Sequence, residues 1–101
     1  MTQIPAVSIG MPVYNAERYL RDTIGAVLAQ TFRDFELIIS DNASTDGSLA
    51  ICEEFARSDP RVRVVRQEIN RGAAANFRTV LDAARAPIFM WAGADDWRSA
   101  D

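Results

Sequence analysis

Four polar clusters in this chain combine residue types that could do chemistry. Asp95-Asp96 directly follows the apolar segment Pro87-Ile88-Phe89-Met90-Trp91-Ala92. Two adjacent carboxylates repel, and a hard cation with oxygen ligands removes that cost. Magnesium or manganese held there would also stabilise a departing diphosphate as its charge develops. The alternative is an exposed acidic loop in which Asp96 caps a helix beginning near Trp97. Asp41-Asn42 follows a second apolar segment, Phe35-Glu36-Leu37-Ile38-Ile39-Ser40. A carboxylate or amide oxygen there accepts a base N–H, or it caps the loop together with Ser44, Thr45 and Asp46. In Met11-Pro12-Val13-Tyr14-Asn15, Tyr14 offers a flat ring for stacking, and backbone amides at a helix start favour anions. The plainer alternative is that Tyr14 packs and Asn15 caps. Asn70-Arg71-Gly72 and Asn76 approach a ribose or phosphate, or else form a turn whose glycine meets a dihedral requirement.

The elements that must position these clusters alternate. Ala6 to Val13 reads as a strand, and Asn15 as the N-cap of a helix running to about Gln30 with Glu17 in its first turn. Tyr19, Leu20, Ile24, Val27 and Leu28 give that helix one apolar stripe. Phe35–Ser40 is a second strand, nearly continuous in apolar residues, as suits a strand covered on both faces. Ser44 or Thr45 starts a second helix with Leu49, Cys52, Phe55 and Ala56 inward, closed by Asp59-Pro60. Arg61–Val65 is a third strand. A third helix ends near Ala84 with Phe77, Val80, Leu81 and Ala84 inward, and Pro87–Trp91 is a fourth strand. The order βαβαβαβ predicts an α/β, Rossmann-like three-layer sandwich around a parallel sheet of about four strands. In such sheets ligands bind beyond the carboxyl ends of the strands. Tyr14-Asn15, Asp41-Asn42 and Asp95-Asp96 all fall at that end.

Composition sets bounds. The chain has 101 residues, net charge -3, one cysteine and no histidine. That length holds a single domain, residues 1–101. A histidine triad, a Cys/His zinc site and an internal disulfide are excluded, and the acidic balance lacks a nucleic-acid footprint. Cys52 reads as a small core residue. No basic n-region or secretory cleavage pattern is present, and no apolar stretch approaches the roughly 20 residues that span a bilayer. A cytoplasmic protein is expected, membrane association being left to any further segment.

Taken together in order, the motifs resemble the family 2 glycosyltransferases, inverting enzymes with the GT-A fold. Four segments carry the resemblance, from about Val7 to Trp97. They are Val7-Ser8-Ile9-Gly10-Met11-Pro12-Val13-Tyr14-Asn15; Leu28-Ala29-Gln30-Thr31-Phe32 leading into Phe35–Ile39; Ser40-Asp41-Asn42-Ala43-Ser44-Thr45-Asp46-Gly47; and Asn70-Arg71-Gly72 followed at a distance by Ala94-Asp95-Asp96-Trp97. The resemblance implies strand order 3-2-1-4 in a truncated GT-A fold, the nucleotide-sugar-binding half of a transferase. It implies that Pro12, Tyr14, Asn15 and Glu17 meet the nucleotide, and that Asp41 and Asn42 grip the base. Asn70, Gly72 and Asn76 would lie near the ribose and diphosphate, with Asp95 and Asp96 binding Mn2+ or Mg2+ and Asp95 also the donor. Asn42 stands where many members have Asp, Gly93 where the longer acidic motif begins, and Ala75 where many have Arg. The base that deprotonates the acceptor hydroxyl lies further along the family's chains, so this chain is expected to bind a nucleotide-sugar donor and to be inactive alone. The acceptor (a polysaccharide, lipid-linked sugar or protein) is open.

Other classes fit less well. A nucleotidyltransferase needs a Gly-rich, basic loop after strand one, and a dinucleotide dehydrogenase needs G-x-G-x-x-G; neither is present. A non-catalytic nucleotide-binding or assembly module of the same fold is the remaining alternative. Ile88-Phe89-Met90-Trp91 as an uncovered edge strand also predicts self-association.

Overall fold

The computed structural model describes residues 4–93. Strands and helices alternate strictly: β1 (Val7–Val13), α1 (Glu17–Ala29), β2 (Phe35–Asp41), α2 (Ser48–Ser58), β3 (Val62–Arg66), α3 (Ala73–Ala83) and β4 (Ile88–Trp91). The sheet order is β3-β2-β1-β4, and every pairing is parallel. Val13 lies opposite Asp41, and Asp41 opposite Arg66. The segments that leave these strands therefore emerge along one edge, as the alternating pattern predicts.

Side chains alternate between the two faces of the sheet. On one face Ile9, Met11, Val13, Phe35, Leu37 and Ile39 meet Leu20, Ile24 and Val27 of α1 and Ile51 and Cys52 of α2 in one core. Each fully buried aliphatic side chain there contributes about 1.5–3 kcal/mol. Cys52 belongs to this core, and burial pushes its thiol up to about 12, which leaves it unreactive. Among the described residues the other face carries α3, packed on β1 and β2. Close approach on that face requires Gly10: a Cβ there would meet the Phe89 ring at 2.6 Å and the Val80 side chain at 3.0 Å.

The N-terminal end of the sheet is closed by charge. Glu36 is 2% exposed and accepts from the Ser8 hydroxyl, from Arg63 Nη1 at 2.7 Å, and from the Arg85 backbone N–H and Nε at 2.9 Å each. Ser8 Oγ in turn accepts from the Arg85 and Ala86 N–H groups. Burial pushes the Glu36 carboxyl up, but the bonds from Ser8, Arg85 and Arg63 outweigh it and hold it at about 2. This clasp fixes where the chain enters β4.

Three local expectations need correction. Asn15 is not the N-cap of α1; it adopts φ 49, and Ala16 takes the cap position. Neither Ser44 nor Thr45 caps α2, which begins after Gly47, so its inward stripe runs through Ser48, Ile51 and Cys52 with Leu49 at its margin. In α3 Val80 is inward, but Phe77 and Leu81 are 43% and 49% exposed and the second buried position is Asn76. The amide of Asn76 turns inward because Ser40 supplies both partners it needs: Ser40 Oγ donates to its Oδ1, and Ser40 O accepts from its Nδ2. That rotates the apolar flank of α3 outward toward β4. Among the described residues β4 pairs only with β1, and its Ile88, Met90 and Trp91 are about half exposed.

Candidate functional site at the carboxyl edge of the sheet

The loops after β1 and β2 are locked to each other. Asn15 donates its backbone N–H to Ser44 Oγ at 2.9 Å and accepts the Thr45 N–H at its side-chain oxygen at 2.8 Å. The two helices that follow exchange caps. Glu17, first residue of α1, accepts the Gly47 N–H at 2.8 Å, while Asp46 accepts the Glu17 N–H at 3.2 Å and the Ser48 N–H at 2.9 Å. Ser48 Oγ accepts the Ala16 N–H at 2.8 Å. Neither helix has a side-chain cap from its own N-cap residue, so each supplies the other's. Burial pushes the Asp46 carboxyl up, but the bonds from Ser48 and Glu17 hold it below the usual carboxylate range.

The loop after β3 is tied to β2 by Asn42. Its side chain bonds Asn70, the Arg71 N–H and the Gly72 carbonyl. Gly72, at φ 89, then starts α3, which has no side-chain cap and no acidic residue in its first turn. Among the described residues, no side chain accepts from the first amides of α3.

Between these loops lies a cavity of about 370 Å³, lined by Pro12, Val13, Tyr14, Asn42, Asn70, Gly72, Ala73, Asn76, Phe77 and Gly93. Tyr14 is 48% exposed, so its ring is available to stack. Phe77 adds an apolar wall and meets Trp91 edge-on at 4.7 Å. Of the residues expected at a nucleotide, the cavity gathers Pro12, Tyr14, Asn42, Asn70, Gly72 and Asn76. It does not gather Asn15, Glu17 or Asp41. Asn15 and Glu17 are held in the cross-capping. Asp41 is 1% exposed and accepts the Ser44 hydroxyl at 2.6 Å and its N–H at 3.1 Å, on the side of a separate depression lined by Arg66 and Gln67. Asp95 and Asp96 lie outside the described residues. Phe77 was missed as a lining residue because helical periodicity assigns any such aromatic to the core; only its place one residue after the polar Asn76 hints otherwise.

Among the described residues no three Asp, Glu or Cys side chains converge to hold a metal ion. The edge carboxylates Glu17, Asp41 and Asp46 are occupied by N–H and hydroxyl donors, so they do not fit that role. Asp95 and Asp96 remain the residues whose chemistry suits a hard cation.

A parallel sheet with helices on both faces and a cavity beyond its carboxyl ends defines a three-layer α/β protein. Residues 8–101 match the model of glycosyl transferase family 2, and the chain belongs to that family. It is 34% identical over 95 residues to the glycosyltransferase GlyA of Streptococcus pneumoniae, covering 94% of this chain and 14% of that protein. It is 36% identical over 91 residues to GlyG of the same organism, covering 89% of this chain and 30% of that one. Among solved structures, the mannosyltransferase PcManGT of Pyrobaculum calidifontis, in complex with GDP-Man and Mn2+, superposes with a TM-score of 0.82 at 26% identity, over 93% of this chain and 28% of that one. TarS residues 1–349 of S. aureus, in complex with UDP-GlcNAc, superposes with a TM-score of 0.80 at 26% identity, over 88% and 26%. The fold is that of these GT-A structures, and the chain spans about a third or less of the proteins just named.

Proposed function

We propose that this chain is the donor-binding part of an inverting, nucleotide-sugar-dependent glycosyltransferase that transfers a sugar from a nucleoside diphosphate to an acceptor hydroxyl. The observation that carries this reading is the carboxyl-edge cavity, which pairs the exposed Tyr14 ring with the polar Asn70 and with the start of α3, where Gly72 supplies no side-chain cap. A ring suits a base, amides suit a ribose, and a helix start with bare N–H groups suits a diphosphate. Asp95 and Asp96 would hold Mn2+ or Mg2+, which neutralises a leaving diphosphate. GDP-Man with Mn2+ in PcManGT and UDP-GlcNAc in TarS support that assignment by likeness.

No carboxylate is among the described residues lining the cavity. In this reading the acceptor's base is supplied by a residue outside the described cavity lining, and slow transfer by the 101-residue chain alone is the expected outcome. The β4 edge, with Ile88, Met90 and Trp91 about half exposed, supports self-association by strand pairing. A monodisperse monomer in light scattering at high concentration contradicts that part.

Titration of the chain with UDP and GDP, with and without manganese, tests the central reading. Metal-dependent binding of at least one is expected. Absence of binding to either leaves the non-catalytic assembly module as the better reading.

A further inference from the structure

The cavity has two ends, and the sheet order tells them apart. Asn42 follows β2, Tyr14 follows β1 and Gly93 follows β4, so these lining residues stand in that order along the edge β2-β1-β4. Asn42 and Asn70 bring their amides together at the β2 end. Phe77 belongs to the β4 end, because its ring meets Trp91 of β4 edge-on, with the two planes at 71°. Trp91 steadies the ring without covering it, since Phe77 stays nearly half exposed where it lines the cavity. The lining residues around it bring no side-chain hydrogen-bonding group to that wall. Ala73 and Gly93 have none, and Asn76 gives both ends of its amide to Ser40. One end of the cavity is thus polar and the other is an immobilised aromatic wall.

We propose that Phe77 is a specificity-determining residue, the platform on which the donor's sugar lies with an apolar face toward the ring, and that this sugar is a 6-deoxy hexose. The proposal rests on the donor-binding reading given above. With the base at the Tyr14 ring and the diphosphate at the start of α3, the group beyond the diphosphate reaches the β4 end. A phenyl ring offers a phosphate no hydrogen bond, whereas it packs well against the C–H face of a pyranose. A hydroxyl turned to this wall gives up its water and meets no partner among these side chains. A methyl group in its place gains by burial. Of the hydroxyls on a hexose, only the one on C6 leaves a methyl group when it is lost, so the 6-deoxy sugar is the form that suits the wall.

The experiment titrates the chain in manganese with UDP, GDP and dTDP, and with UDP-glucose, GDP-mannose, dTDP-glucose and the 6-deoxy form of each. For the nucleotide that binds, the 6-deoxy sugar should bind about tenfold tighter than its hydroxylated counterpart. Phe77→Ala should abolish that difference, and its cost to the 6-deoxy sugar should exceed its cost to the free diphosphate. Phe77→Gln sets an amide at the same wall and should turn the preference toward the hydroxylated sugar; it carries the test if Phe77→Ala does not fold. Equal or tighter binding of the hydroxylated sugars to the wild type overturns the proposal. So does an equal loss for the free diphosphate and the 6-deoxy sugar in Phe77→Ala, which would make the ring a contact of the nucleotide. Either result leaves the donor-binding reading standing. If none of the three free diphosphates binds the wild type, the donor-binding reading fails, and the proposal falls with it.

Discussion

At the N-terminal end of the strands, a buried carboxylate meets two arginines and a hydroxyl: Glu36 with Arg63, Arg85 and Ser8. At the carboxyl end, the buried polar groups are neutral pairs such as Asn76 with Ser40 and Asn42 with Asn70, and carboxylates that accept from N–H groups. Among the described residues, none of the ion pairs involves the loops that frame the cavity. The difference has a physical sense. The buried Glu36 carboxylate makes one end rigid, because losing its donors would strand it. The other end is held by neutral amides and by carboxylates that accept from N–H and O–H groups, so its loops depend on hydrogen-bond geometry and not on ion pairs.

The comparison can be broken or sharpened by substitution. Glu36→Ala should have the largest effect, about 3 kcal/mol lost in urea denaturation, because the Ser8 hydroxyl and the Arg85 N–H both lose a buried acceptor. The folded pKa of Glu36 is depressed to about 2 from 4.5. Its contribution is therefore full above about pH 4.5 and disappears as pH falls toward about 2. Glu36→Gln should flatten the stability profile in that window.

Asn76→Ala comes second, at about 2 kcal/mol, since Ser40 is left with a buried hydroxyl and carbonyl short of a partner. Weaker nucleotide binding should accompany it. A larger loss from Asn76→Ala than from Glu36→Ala would reverse the ranking of the two ends. Glu17→Ala and Asp46→Ala should each cost about 1 kcal/mol as lost caps. The double variant should cost less than their sum, because the two loops fail together. Arg21→Ala should leave the denaturation midpoint unmoved: its bidentate pair with Glu54 is more than half exposed on both sides, and water and salt screen it.

Much of the fold was legible because it rests on period and length. Phe35–Ser40 has the continuous apolar run of a strand covered on both faces, and β2 is buried at every residue. Less of the site was legible, because loop geometry decides it. Asn15 and Glu17 have the residue types of a cap and a ligand contact, and nothing in their spacing says that their partners are Thr45 and Gly47, about 30 positions on. Asn76 was read as approaching a ribose or phosphate, and nothing in its spacing says that Ser40 takes both ends of its amide. Phe77 and Leu81 followed the helical rule and were still placed wrongly, since that rule knows the stripe but not which wall the helix leans on.

Gly10 has no side chain and does not line the cavity, yet the cavity wall depends on it. The space above it admits Phe89; Phe89 braces Trp91 at 4.6 Å, and Trp91 braces Phe77, which faces the ligand space. The wall is therefore set by an absence of atoms on the central strand and passed along three rings. A scan that scores positions by distance to a ligand would pass over Gly10. One that scores binding would count it among the site residues.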